Sequence, residues 1–230
     1  MNTPVPNYLH PSFYLVSQTV PEPGMALAHN VNTPAELIAY CARVSNPENQ
    51  NNSASAARLI RYLIKHQHWS PLEMVDVTIG ITTARDIGRQ ILRHRSFVFQ
   101  EFSQRYAEVD TDRHCLREAR LQDPVNRQSS TLCFDGMLIN NWVTQQMFVL
   151  EAARKAYDWA IKNGIAKECA RVVLPEGLTL TDMHMKGSLR SWIHYLDLRT
   201  GNGTQLEHQS LALAIAKAIN KLFPVEQLHD

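Results

Sequence analysis

Between Val75 and Thr82 the apolar residues Val75, Val77, Ile79 and Ile81 alternate with Asp76, Thr78, Gly80 and Thr82, the period of two that marks a half-buried strand. Phe13 to Thr19 has strand-forming content, broken by a loop at Pro21, Pro23 and Gly24, and Leu178 and Leu180 suggest another strand. Helical patterns fill most of the rest. Thr33-Pro34-Ala35-Glu36 reads as a capped helix start running to about Val44, and Leu59, Ile60, Leu63 and Ile64 form a helical stripe ending near His66. Further helices are expected over Thr83 to Arg95, Thr131 to Asn163 with Gly164 as left-handed cap, Ala166 to Val173, Ser188 to Arg199 and Gln205 to Leu222. Asp110 to Ser130 reads as an irregular surface excursion, and no repeat or linker divides the chain, so 1–230 is expected to be one domain.

The formal net charge of +1 excludes a global electrostatic attraction to nucleic acid or membrane. Sixteen of the 23 basic residues are arginine, and a guanidinium fork grips phosphate or a pyrimidine carbonyl through paired hydrogen bonds. Cys41, Cys115, Cys133 and Cys169 form no CxxC pair, no signal pattern opens the chain, and no window approaches a membrane span. A cytoplasmic protein with reduced thiols, no metal and no membrane contact is expected.

The chemistry concentrates in Arg93-His94-Arg95-Ser96-Phe97-Val98-Phe99-Gln100-Glu101-Phe102-Ser103-Gln104-Arg105-Tyr106. If the preceding helix persists, Gln90, Arg93 and His94 share a face; if the chain then extends, Glu101, Ser103 and Arg105 point to one side. On residue types alone, Glu101 and Arg105 equally read as a helical i,i+4 ion pair, with Arg93 and Arg95 solvating a helix end.

The Arg-His-Arg triplet, seven residues and then Ser, followed by Gln-Arg-Tyr, resembles the signature of the flavin-dependent thymidylate synthases, the ThyX family. Other blocks resemble the family in order and spacing: Ala42-Arg43-Val44-Ser45, Tyr62 through Glu73, Glu168 through Pro175, and Leu189 through Arg199. Val98, Gln100 and Ser188 depart from the residues common at those positions.

The resemblance implies an α+β fold, a mostly antiparallel sheet flanked by helices, assembled as a homotetramer with active sites shared between subunits. It implies that reduced FAD completes the methylation of dUMP to dTMP, with methylenetetrahydrofolate as carbon donor and NADPH as reductant. Ser70, Arg93, His94, Arg95, Glu101, Arg190 and His194 are then expected to contact FAD. Gln90, Arg93, Glu101, Ser103, Arg105, Arg171 and Arg199 are expected at dUMP, with Arg105 and Arg171 suited to its phosphate. Arg199 is the catalytic candidate, a fixed guanidinium beside the uracil N3 that polarises the ring. No histidine base is fixed beside Ser103 by the sequence, so it is given substrate contact instead of attack.

Several of these residues have plainer readings. Ser70 and Glu73 could be a capping pair, His194 a satisfied helix histidine, and Arg199 a cation favoured at a helix C-terminus. The rival function is an arginine-rich nucleic-acid-binding module using Arg85 to Arg105 with Phe97, Phe99, Phe102 and Tyr106 for stacking, diluted by Asp86, Glu101, Glu108 and Asp110. A second rival is a purely structural helical protein.

Overall fold

Thr33 opens its helix by both halves of a capping box: its hydroxyl accepts from the Glu36 amide, and the Glu36 carboxylate accepts from the Thr33 amide. The computed structural model describes residues 6–223. Its strands are β1 (Ser12–Gln18), β2 (Asp76–Ala84), β3 (Val98–Glu101), β4 (Arg120–Gln122), β5 (Ser130–Leu132) and β6 (Leu180–Ser188). Its helices are α1 (Pro23–His29), α2 (Pro34–Ala42), α3 (Ala56–Lys65), α4 (Arg85–Ile91), α5 (Gly136–Lys162), α6 (Lys167–Ala170), α7 (Leu189–Thr200) and α8 (Leu206–Leu222).

The principal sheet has the order β1-β2-β6-β3. Its strands are antiparallel: the Thr19 amide bonds to the Asp76 carbonyl at one end of the β1/β2 pair, and Tyr14 lies over Gly80 further along. The Arg85 amide bonds to the Thr179 carbonyl while the Leu189 amide bonds to that of Val75, so β2 and β6 also run in opposite directions. The expected alternation holds in β2, where Val77, Ile79 and Ile81 are buried. β4 and β5 form a separate antiparallel hairpin. The α+β reading is therefore correct at this level.

The chain divides into two compact units, and the division falls within β2 after Gly80 and within β6 after Met183. One unit holds 6–12, 81–93 and 100–183; the other holds 13–80, 94–99 and 184–223. In the first, α5 turns Ala153, Tyr157 and Ala160 inward, and Tyr157, Ala160 and Ala170 form a small core. Gly164 follows the helix with φ +76°, the left-handed geometry that glycine adopts without strain. In the second, Trp192, Tyr195 and Leu196 of α7 are buried, as are Leu211, Ala212, Ile215 and Ile219 of α8 at helical spacing. Phe97 lies so close to Gly187 that a Cβ there would sit 2.5 Å from its ring, so that glycine admits the aromatic cluster of Phe97, Trp192 and Tyr195.

Several sequence expectations are corrected. The helix expected from Thr131 begins at Gly136, and Ser130–Leu132 before it pairs with Arg120–Gln122, a strand inside the stretch expected to be irregular. Pro21 to Gly24 is not all loop, because Glu22 caps α1 and Pro23 occupies its first turn. The strand near Leu180 is nine residues long and runs directly into Ser188, whose hydroxyl caps α7 as expected. The helix before the arginine triplet ends at Ile91, so Arg93 and His94 lie beyond it and the shared face with Gln90 is lost. β3 stops at Glu101 and the chain turns, the Ser103 carbonyl accepting from Tyr106 and Ala107, so Glu101, Ser103 and Arg105 do not alternate along a strand.

Candidate active site

The expected site residues fall into two groups, one in each unit. In the first unit, β2 passes into α4 at Arg85, and helical spacing sets Arg85 and Arg89 one turn apart. Both arginines meet the same two carboxylates. Arg85 lies 3.6 Å from Glu101 and 3.2 Å from Glu176; Arg89 lies 3.1 Å from Glu101 and 3.3 Å from Glu176. The Thr181 hydroxyl also donates to Glu101 at 3.0 Å. The Arg85 side chain is only 7% exposed, and a charge so buried needs this pairing. Glu101 is thus the counter-ion of Arg85 and Arg89, and Arg105 pairs instead with Glu168 at 3.3 Å. The i,i+4 pairing of Glu101 with Arg105 is absent from that network.

A cavity of about 470 Å³ is lined by Arg85, Arg89, Gln104, Arg171 and Glu176. Gln104 is buried, and neither its Nε2 nor the Nη1 of Arg85 makes a hydrogen bond. Nη1 of Arg85 is nevertheless the atom of its ion pair with Glu101, and the cavity wall sets Arg85, Arg89 and Arg171 beside the carboxylates of Glu168 and Glu176. A second cavity of about 680 Å³ is lined by Ser103, Arg105, Tyr106, Lys167 and Glu168. The first unit therefore groups Arg171 with Arg85 and Gln104, and Ser103 with Arg105. Gln90 lies on α4, and Arg93 is exposed in the turn after it.

In the second unit, α7 carries three expected residues. Arg190 and His194 are one turn apart; Arg190 donates to Glu73 at 3.0 Å, and the His194 ring lies 4.4 Å from that of Trp69. Ser70 begins a short 3-10 turn, Ser70–Met74, that has no side-chain cap hydrogen bond, so Glu73 is a partner of Arg190 and not of Ser70. Ser70 and Arg95 are exposed. This surface suits a flavin dinucleotide, because arginine forks match a diphosphate and the paired Trp69 and His194 rings offer a wall to a flat heterocycle.

On the last turn of α7, Arg199 donates from Nε to Nε2 of His94 at 2.9 Å. The His94 ring stands edge-on to Tyr195, centroids 4.8 Å apart, and the Tyr195 hydroxyl is 2.9 Å from Nε2 of His208. Burial, reinforced by the charge of Arg199, pushes the His208 imidazole down to about 3, and burial raises the Tyr195 phenol well above its ordinary value. Both groups are therefore neutral near pH 7.

Sequence reasoning did not single out Gln104, Glu176, Tyr195 or His208, and it met Arg85 only as part of a basic patch. His208 carried a signal, a histidine in register with the apolar positions Leu211, Ala212, Ile215 and Ile219. Gln104 carried none, since its burial depends on the turn after β3.

Residues 26–225 match the family model described as thymidylate synthase complementing protein. A probable flavin-dependent thymidylate synthase of Paramecium bursaria Chlorella virus 1 is 47% identical over 210 residues, 91% of this chain and 94% of the viral protein. A flavin-dependent thymidylate synthase of a Synechocystis species is 50% identical over 193 residues, 84% of this chain and 87% of that protein. The crystal structure of PolB, a UMP/dUMP methylase of Streptomyces cacaoi bound with 5-Br dUMP, superposes with TM-score 0.79 at 27% identity, covering 96% of this chain and 94% of PolB.

Proposed function

From the premise that this chain belongs to the thymidylate synthase complementing protein family, the flavin-dependent thymidylate synthases, we propose the following division of labour among its residues. The enzyme is an FAD-dependent methyltransferase that converts dUMP to dTMP. The observation that carries the substrate reading is the cavity that Arg171 lines together with Arg85, Arg89 and Gln104. Arg171 and Arg105 take the phosphate of dUMP, and Ser103 and Gln90 contact the nucleotide. Glu101 fixes Arg85 and Arg89 in the wall of that cavity and is assigned with them to the nucleotide.

Ser70, His94, Arg95, Arg190 and His194 would hold FAD, with Arg93 assigned to the same ligand. When bound, FAD supplies the hydride that completes the methyl group, NADPH being its reductant and methylenetetrahydrofolate the source of the carbon. Arg199 acts on the uracil: with Nε committed to His94, its terminal Nη groups are left to bond to the N3 and carbonyl edge and to favour the anionic ring. No protein nucleophile is assigned to the reaction.

Assembly as a homotetramer with shared active sites is supported by α5. Its Leu138, Trp142 and Val149 follow helical spacing and are exposed, as are Met137 and Phe148, an apolar surface suited to a second copy of the chain. A cytoplasmic location accords with four free cysteines and with the absence, among the described residues, of a helix long and apolar enough to cross a membrane. The nucleic-acid reading is disfavoured because Arg85, Arg89 and Arg105 are engaged by carboxylates and Phe97 is packed against Trp192.

Equilibrium dialysis tests the cofactor assignment. The protein should retain FAD at about 10 μM, roughly 7 kcal/mol of binding, and the bound flavin should bleach anaerobically with NADPH. No retention at that concentration would remove the cofactor reading.

A further inference from the structure

The second unit contains a buried polar pair that the assignments above do not use. Tyr195 is 1% exposed and His208 is fully buried, and their side chains meet at 2.9 Å where α7 packs on the buried Leu211, Ala212 and Ile215 side of α8. Burying two polar groups there is costly unless they are hydrogen-bonded, and an apolar pair would pack at less risk. The position of the pair gives it a use. Tyr195 lies one helical turn before Arg199, and its ring meets the edge of His94, the residue that accepts from Arg199.

We propose that Tyr195 and His208 are positioning residues for Arg199: the hydroxyl-to-imidazole bond fixes the Tyr195 ring, that ring fixes the plane of His94, and Nε2 of His94 fixes the guanidinium. The proposal rests on the assignment of Arg199 to the uracil ring. An unrestrained arginine loses much rotamer freedom when it binds, and a guanidinium already held at Nε loses less. Phe97 and Trp192 close the other sides of Tyr195, with ring centroids 5.9 and 5.8 Å away, so the hydroxyl has little freedom to find another acceptor. His208 remains uncharged near pH 7, so the bond joins neutral groups and places no second cation beside Arg199.

A double-mutant cycle separates positioning from simple structural support. Enzyme reduced in advance is mixed with saturating dUMP and methylenetetrahydrofolate, and single-turnover dTMP formation is followed in wild type, Tyr195→Phe, Arg199→Ala and the double variant. Tyr195→Phe should slow dTMP formation about tenfold in the wild-type background and not at all in the Arg199→Ala background. The same factor in both backgrounds, or no effect in wild type, overturns the proposal. A wild-type rate in Arg199→Ala alone overturns the assignment of Arg199 first, and this inference with it. If Tyr195→Phe does not fold, His208→Leu enters the same cycle with the same expected outcomes. His208→Gln, which restores a hydrogen-bonding group, should then recover most of the rate; an equal loss in His208→Gln and His208→Leu counts against the pair.

Discussion

Arg199 and His94, 105 positions apart in sequence, are joined by one hydrogen bond from Nε to Nε2 at 2.9 Å. Because arginine can only donate, Nε2 of His94 must carry its lone pair outward, and the imidazole proton resides on Nδ1. The bond also selects which part of the guanidinium remains for a ligand. A side chain that the sequence equally allows as a solvated helix-end cation is instead held by the central residue of the Arg-His-Arg triplet.

Arg171 lines the cavity together with Arg85, Arg89 and Gln104. Arg171→Lys keeps the charge and loses the planar fork, so the dUMP dissociation constant should rise about tenfold or more. Isothermal titration with dUMP measures it, and an unchanged constant would take Arg171 out of the phosphate site.

Glu101 is the shared counter-ion of Arg85 and Arg89, and its side chain is 15% exposed. Glu101→Gln leaves an amide oxygen for Thr181 but removes the charge facing a buried guanidinium. Urea denaturation should show a loss of about 3 kcal/mol, smaller if Glu176 takes over part of the pairing. A midpoint equal to wild type would mean that Glu176 alone suffices to hold Arg85.

His208 gives the fold a defined sensitivity to acid. Its folded value of about 3 lies below the ordinary 6.5, so between these values the unfolded chain takes up a proton that the folded protein excludes. Stability is full above pH 6.5 and is lost as pH falls toward 3, by about 2 kcal/mol between neutrality and about pH 5. His208→Leu should show a correspondingly smaller difference between urea midpoints at those two values. An undiminished acid loss in that variant would place the sensitivity elsewhere.

The strand at Val77 to Ile81, the capping box at Thr33, the cap at Ser188 and the body of α5 from Gly136 onward were legible because each depends on local periodicity or capping chemistry. The arginine motif was legible as a resemblance, but its partners were not. Glu101 and Glu176 are 75 residues apart, a separation that no spacing rule links, and Arg85 needs both. Ser103 and Arg105 were misplaced along a strand because β3 ends at Glu101, where a hydrogen-bonded turn overrides the extended pattern of Phe102 to Tyr106. Tyr195 was not legible as a polar partner, because His208 reaches its hydroxyl only through the packing of α8 on α7.

The most direct test of the account compares the two half-reactions in Arg199→Ala. Stopped-flow reduction of the bound flavin by NADPH should stay within about twofold of wild type, because the nicotinamide does not involve the uracil ring. Single-turnover dTMP formation by the reduced variant with dUMP and methylenetetrahydrofolate should fall about a hundredfold or more, the loss expected when an oriented charge leaves the reacting group. Near wild-type dTMP formation would contradict the assignment, and equal collapse of both steps with loss of FAD would make Arg199 a residue of the flavin site instead.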